Sequence, residues 1–127
     1  MPKKVQFILM SLFYFAAGIN HFINPLFYIE IVPDFISEKA LAVAVSGLFE
    51  IVLATFLVFK EARKLAAKCI ILMLFLFLLL VHFPMIVDYY ESNNSLLWFA
   101  IIRVPIQFFL IFWAYKISKV KVESQFY

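Results

Sequence analysis

The sequence contains very little glycine and cysteine, and few charged residues. Only two glycines and one cysteine, Cys69, occur among its 127 residues. A single cysteine excludes an intramolecular disulfide, a CxxC redox motif and a cysteine-ligated cluster within one chain. Charged residues make up 15% and hydrophobic residues 66% of the chain, and the mean hydropathy is +1.01, which is far too apolar for an ordinary soluble domain. The composition therefore indicates an integral membrane protein.

Four apolar stretches have the length of a transmembrane helix. They cover residues 5–22, 40–59, 65–83 and 96–117, and each is close to the ~20 residues needed to cross a ~30 Å hydrocarbon core. No small-x-small cleavage site follows the first stretch, so we expect it to be retained and not removed as a signal peptide. The sequence predicts an all-α, integral membrane four-helix bundle that forms a single transmembrane domain over residues 1–127.

Positive charge is confined to every other segment between the spans. Lys3 and Lys4 precede the first span, and residues 60–64 carry a net charge of +2, whereas the first and third connections each carry −2. The positive-inside rule then predicts that both termini lie in the cytoplasm, which for a bacterial protein means the inner membrane. We attribute the net charge of +3 to contact with lipid phosphates and expect no binding to nucleic acid.

The two outer connections differ in character. The first is apolar and aromatic between Pro25 and Pro33, which predicts a short interfacial helix folded over the outer mouth of the bundle. A plain surface anchor that covers nothing is the alternative. The third connection, residues 88–95, is predicted to be a short polar turn in which Ser95 caps the fourth span.

Glu50 is a carboxylate near the middle of the second span. Gly47, Glu50 and Ala54 share one helical face, so a neighbouring helix can approach closely there. Arg103 is the only strongly basic side chain inside another apolar stretch, and the two groups lie roughly 13 and 10 Å below the outer ends of their spans at ~1.5 Å per residue. Ionised groups at that depth cost about 3 kcal/mol or more each. We therefore predict Glu50 and Arg103 within salt-bridge or one-water reach.

Further polar side chains are predicted to line the same outward-opening pocket. By helical rise, the two histidines lie at its mouth, about two turns outward of Glu50. Histidine spacing of the HxxxH or ExxH kind is missing, so no metal site is predicted. The predicted ligand-binding or proton-relay residues are Glu50, Arg103, His21, His82, Gln107, Asn20 and Ser46.

Three short motifs occur in order along the chain. They are Gly-x-x-His-Phe at residues 18–22, Ser-Gly-x-x-Glu at residues 46–50 and Arg-x-Pro-x-Gln at residues 103–107. In this order and spacing the chain resembles the DoxX and DoxX-like family of small four-helix bacterial membrane proteins. The resemblance implies a four-helix bundle and, for the member that named the family, a subunit of a membrane thiosulfate:quinone oxidoreductase. Other relatives look like partners of redox complexes or assembly chaperones.

These observations favour one function and leave a second open. The favoured function is binding of a small amphipathic ligand, preferably a quinone headgroup, as an accessory subunit of a membrane oxidoreductase. Arg103 and the histidines would donate hydrogen bonds to a quinone oxygen, and Glu50 would relay a proton. The chain itself has no cofactor motif, so electrons would come from a partner subunit; a homo-oligomer is also compatible. The alternative is a non-catalytic assembly factor or scaffold in which a Glu-Arg pair is purely structural.

Overall fold

The computed structural model of the protein describes residues 3–120, and these residues are helical without any strand. The predicted all-α bundle is therefore confirmed. A π-helical turn, Leu78–His82, joins the fourth and fifth α-helices. The α-helices are α1 (Lys3–Ile23), α2 (Pro25–Ile29), α3 (Lys39–Val58), α4 (Lys60–Phe77), α5 (Phe83–Glu91) and α6 (Leu97–Ser118).

Four helical segments are long and apolar enough to cross a membrane, as predicted. They are α1, α3, α6 and the continuous segment Lys60–Glu91, which combines α4, the π-helical turn and α5. The first, second and fourth agree with the predicted spans to within a few residues. The third is considerably longer than the predicted stretch of residues 65–83, because the helix does not end before Pro84.

The π-helical turn explains how the third segment passes Pro84. In a regular α-helix a proline ring clashes with the carbonyl four residues earlier, which here belongs to Leu80. The N–H of Phe83 instead bonds to the carbonyl of Leu78, five residues back, so the helix is wider at this point. The helix therefore continues to Glu91, and the prediction that residues 88–95 form a turn is wrong for its first half.

The predicted cap of the fourth span is also wrong. α6 begins after Leu96, and no side chain caps it by a hydrogen bond. The side chain of Asn94, rather than that of Ser95, accepts a hydrogen bond from the backbone N–H of Leu96 at 2.9 Å. Asn93 has a positive φ of 53°, which an asparagine tolerates better than most residues. The reversal of the chain therefore depends on the two asparagines.

The four long segments pack in the order α1, α3, α4, α6. α1 packs chiefly on α3, α3 on α4, and α4 on α6, while α2 lies against the start of α3. The predicted short helix in the first connection is confirmed by α2. We call the end of the bundle that carries α2 the α2 end; at the opposite end, called the terminal end, α1 begins and α6 ends.

The apolar core fills the half of the bundle in which α1 begins and α6 ends. Phe7, Met10, Leu57, Ile70 and Ile117 are all at most 2% exposed there. One buried cation belongs to this half. The Arg63 guanidinium lies 3.9 Å from the ring centroid of Phe7 and donates hydrogen bonds to the carbonyls of Leu57 and Val58 at 2.7 and 2.9 Å. These bonds satisfy carbonyls that the end of α3 leaves free.

One surface ion pair fixes the connection before α3. Lys39 donates a hydrogen bond to Asp34 at 2.7 Å. This hydrogen bond, helped by the positive charge of Lys39, holds the pKa of the Asp34 carboxyl below its usual range. The connection thus contacts Lys39, the first residue of α3, through a charged hydrogen bond.

Candidate functional site

A cavity of about 270 Å³ lies in the half of the bundle at the α2 end. Six of the seven predicted site residues line it: His21, Ser46, Glu50, His82, Arg103 and Gln107. Asn20 does not line the cavity. It donates a hydrogen bond of 2.6 Å to the hydroxyl of Tyr28, which does. The structure therefore brings together the polar residues that the sequence placed inside four separate spans.

The two glycines of the chain lie where α1 and α3 pack closely against each other. A Cβ added at Gly18 would lie 2.7 Å from the carbonyl oxygen of Gly47 and 3.1 Å from the Cβ of Glu50. A Cβ added at Gly47 would lie 2.7 Å from the Cβ of His21. Small residues allow helix backbones to approach in this way. The prediction that the Gly47 face admits a neighbouring helix is confirmed, and that helix is α1.

His21 and Glu50 meet beside this glycine contact. Nδ1 of His21 lies 3.1 Å from Oε2 of Glu50 and 2.8 Å from the carbonyl oxygen of Ala17. A carbonyl accepts hydrogen bonds only, so Nδ1 carries the hydrogen when it bonds to Ala17. One hydrogen does not serve two acceptors fully, and Oε2 of Glu50 is left without a proper hydrogen-bond partner. The histidine is thus Glu50's immediate polar neighbour but does not satisfy it.

Of the two arrangements predicted for Glu50 and Arg103, the direct salt bridge is not formed, while reach through one water stays a prediction. The ionisable side chain within 4 Å of the Glu50 carboxylate is that of His21, at 3.1 Å. The reason is the packing order, because α6 packs on α4 and α3 packs on α1. Arg103 and Glu50 nevertheless line the same cavity, and the Arg103 guanidinium lies 5.7 Å from the ring centroid of Phe99 on its own helix.

The predicted depth of His21 was also wrong. Counting residues from the outer end of each span placed it about two turns outward of Glu50. The structure instead places the two side chains in contact at 3.1 Å. α3 extends further toward the α2 end than α1 does, so equal residue counts from the helix ends do not correspond to equal depths.

Three buried polar atoms in the cavity wall have no hydrogen-bond partner. They are the hydroxyl of Tyr14, Oε2 of Glu50 and Nδ1 of His82, and their residues are 2%, 5% and 5% exposed. An unsatisfied polar atom at such burial costs about 1–3 kcal/mol. Among the described residues, these three are the buried side-chain polar atoms without a hydrogen-bond partner. All three belong to residues that line this cavity. This concentration is typical of a site that is completed by a bound molecule or ordered water.

The π-helical turn and Gln107 position the histidine of the third segment. His82 is the last residue of the turn, and Gln107 donates a hydrogen bond to the carbonyl of Leu74 at 3.0 Å, just before the turn begins. The side chain of Gln107 also interacts with that of His82. π-Helical turns within α-helices often occur at functional sites. Here the turn ends at His82, which lines the cavity.

A cover over the α2 end is formed by α2 and the residues after it. The rings of Tyr28 and His21 are stacked, with centroids 3.8 Å apart and an interplanar angle of 16°. Asn24 donates a hydrogen bond of 2.7 Å to Asn20, which in turn holds the hydroxyl of Tyr28. Ile31 and Val32 complete the cover. The first connection therefore covers the mouth of the bundle, as predicted. The alternative, a surface anchor that covers nothing, does not agree with these contacts.

Two site residues were missed in the sequence. Tyr14 lies four residues before Gly18 and seven before His21, so the helical period places all three on one face. That spacing was a usable signal. Tyr28 lies between two prolines in the first connection, and only the folded cover brings it onto His21. Among residues 3–120, no three side chains of His, Cys, Asp or Glu form a group that could hold a metal ion.

The contact between His21 and Glu50 should be measurable as an energetic coupling. We expect Glu50→Gln and His21→Ala to be non-additive by about 0.5–3 kcal/mol in unfolding free energy, because residues in contact couple on that scale. Glu50→Gln and Arg103→Met should couple more weakly, since the two residues share the cavity but form no ion pair within 4 Å. Double-mutant cycles from unfolding in mild detergent provide the measurement. A larger coupling energy for Glu50 with Arg103 than for Glu50 with His21 would contradict the observed packing.

A comparison with known protein families extends over nearly the whole bundle. The model of a family described as a domain of unknown function, DUF8561, matches residues 10–118, which contain every residue that lines the cavity. No curated protein and no solved structure matches the chain. Because the match covers far more than half of the sequence, the chain belongs to the DUF8561 family.

Proposed function

We propose that this protein binds the polar ring headgroup of a small amphipathic ligand, preferably a quinone, in the cavity at the α2 end. The observation that carries the proposal is the set of three unpartnered buried polar atoms on Tyr14, Glu50 and His82 around one cavity. A ligand with hydrogen-bonding groups at its ring would satisfy them together. A ligand site of this kind is mostly apolar and contains a few convergent polar groups.

The chemistry of the walls suits a ring with oxygen substituents. Arg103 is a pure donor and matches a carbonyl oxygen, whereas Oε2 of an ionised Glu50 is a pure acceptor and matches a hydroxyl. Tyr14 serves either role, and Leu74, Phe77 and Val81 supply apolar surface. At about 270 Å³ the cavity lies just below the ~300–1,000 Å³ that ligand pockets span, which favours a small headgroup.

Within this proposal the protein is an accessory subunit of a membrane oxidoreductase. The chain offers groups that hold a ring and exchange a proton, through Glu50, and electrons would come from a redox partner subunit. The ordered motifs that resemble the DoxX and DoxX-like family support this role, and we propose a relationship to it. The scaffold alternative is less well supported, since the Glu-Arg pair on which it was based is not in direct contact.

The test is the ligand content of the purified protein. We expect the parent protein, extracted in mild detergent, to retain a quinone that solvent extraction and mass spectrometry identify. His82→Ala with Arg103→Met should lower that content by about tenfold or more, because two polar contacts worth ~1 kcal/mol or more are lost. A parent protein that retains no quinone and binds none when it is added would refute the proposal and favour the scaffold function.

A matched control separates the site from general charge effects. Lys116 is a second cation on α6, and it lies 5.0 Å from the ring centroid of Phe112, away from the cavity. Lys116→Met removes one positive charge from the same helix. The ligand content of this variant should equal that of the parent, and the thermal midpoints of all variants should be recorded to exclude unfolding.

We further propose that the protein lies in the bacterial inner membrane with both termini in the cytoplasm, on the basis of the alternating loop charges. In a Cys69→Ser background, Ser37→Cys and Ser92→Cys should react with an impermeant thiol reagent added to intact cells from which the outer membrane has been permeabilised. Lys119→Cys should react only after the cells are lysed. These three positions are exposed, so burial does not limit their labelling. Labelling of Lys119→Cys from outside would reverse the proposed orientation.

A further inference from the structure

The helices leave one side of the bundle weakly closed. α1 packs on α3, α3 on α4 and α4 on α6, but α6 does not return to pack extensively on α1. Both α1 and α6 nevertheless contribute to the cavity wall, through Phe13, Tyr14 and Ala17 on one side and Ile106 and Leu110 on the other. The cavity therefore extends to the gap between these two helices.

The exposure of the wall residues locates the opening. Of all the residues that line the cavity, Phe13 and Ile106 are the exposed ones, at 47% and 52%, and the others are buried or half-buried. Phe13 is on α1 and Ile106 is on α6, so one of them stands on each side of the gap. Each lies near the middle of its helix. The rim of the cavity is thus at the depth of the hydrocarbon core and not at the level of the loops.

At the α2 end the residues that line the cavity are not exposed, and a second, smaller pocket of about 190 Å³ lies beside them and shares Ile31 and Val32 with the cavity wall. Tyr28, Ile31 and Val32 line the cavity there and are at least partly buried. The stacked rings of Tyr28 and His21, and the hydrogen bond from Asn20 to the Tyr28 hydroxyl, fix the cover in place. A molecule that entered the cavity past Tyr28 would have to displace these contacts.

We propose that the cavity opens sideways into the bilayer between α1 and α6, and that its ligand is a membrane-dissolved molecule whose apolar tail leaves through this gap. This inference rests on the proposed function and adds the class of ligand and its route. The polar ring meets Tyr14, Glu50, His82 and Arg103, while the tail lies between Phe13 and Ile106 and continues into lipid. A tail is favoured because an apolar rim facing hydrocarbon gives an apolar chain continuous contact from cavity to bilayer.

The path of the tail can be mapped by photolabelling. The probe is a benzoquinone with a short alkyl tail that carries a diazirine, bound to the whole protein in mild detergent. We expect labelled residues on α1 and α6 around Phe13 and Ile106, and we expect excess unlabelled tailed quinone to suppress this labelling. Labelling that is suppressed by the competitor but lies in residues 26–35 would show that the tail leaves through the α2 end and would overturn the inference.

Closing the gap gives a second, independent test. Phe13→Trp with Ile106→Trp adds bulk on both sides of the gap and narrows it, so binding of the tailed quinone should weaken by about tenfold or more. Phe109→Trp is the control, because Phe109 is 62% exposed on α6 and does not line the cavity. Its binding should match that of the parent, and thermal midpoints should verify that each variant is folded.

The outcomes separate the two proposals. If the parent binds the tailed quinone and the two tryptophans change nothing, the lateral opening is refuted while the ligand site stands. If the double-tryptophan variant does not fold, the photolabelling of the parent still decides the route. If the parent binds neither tailed nor tailless quinone, both proposals are refuted together.

Discussion

Replacing Gly18 with leucine is expected to abolish the folded bundle. Even a Cβ at this position would lie 2.7 Å from the carbonyl oxygen of Gly47 and 2.7 Å from Cγ1 of Ile51. The first of these atoms belongs to the backbone of a helix and has no rotamer to change, so α1 and α3 must separate. Separation also breaks the hydrogen bond of 2.7 Å from the Ser11 hydroxyl to the carbonyl of Ala54. Monodisperse protein after detergent extraction should therefore be largely lost.

The alanine variant gives a graded form of the same test. Overfilling of a packed contact costs about 1–3 kcal/mol, and the higher helix propensity of alanine returns roughly 1 kcal/mol of that. We expect Gly18→Ala to lower the thermal midpoint while leaving some folded protein. Ala16→Leu adds more volume on an exposed face of the same helix and should change little. A Gly18→Leu protein as stable as the Ala16→Leu protein would contradict the close contact.

The second large effect concerns Tyr14, whose buried hydroxyl has no partner. Tyr14→Phe removes the hydroxyl and keeps the ring, so the ligand-free protein should gain about 1 kcal/mol in unfolding free energy. Binding of the proposed ligand should weaken at the same time, because one hydrogen bond to it is lost. A gain in stability with a loss of binding is the signature of a residue retained for function. If Tyr14 had a purely structural role, Tyr14→Phe would not raise the unfolding free energy and weaken ligand binding together.

The measurement pairs thermal unfolding with ligand binding on the same samples. Tyr115→Phe is the matched control, since Tyr115 is 50% exposed on α6 and lies outside the cavity wall. It should change neither quantity. If Tyr14→Phe instead lowered stability and left binding unaltered, the hydroxyl would have a structural role, and the unpartnered atoms would lose their value as evidence for a ligand.

Much of the polar site was predictable because ionisable groups are so unfavourable in apolar helices. Glu50, Arg103, His21 and His82 stand out in their spans, and groups of this kind face the interior of a bundle. The structure places all four around one cavity. Their pairing was not predictable in the same way. Depth counted along separate helices suggested Arg103 as the partner of Glu50, whereas the direct neighbour is His21 at 3.1 Å.

Length and hydropathy are properties of each segment alone, and so the helical class, the four segments long and apolar enough to cross a membrane and the short helix that begins at Pro25 could all be predicted from the amino-acid sequence. In contrast, the choice of neighbouring helices and the register of their packing depend on how two helix surfaces fit together. The packing of the folded chain was needed to show that the two glycines join α1 to α3, that the helix passes Pro84 through a π-helical turn, and that α6 packs on α4 and not extensively on α1. The physical reason is that close packing selects among many arrangements of equally apolar surfaces, and a few ångströms of backbone approach settle the choice.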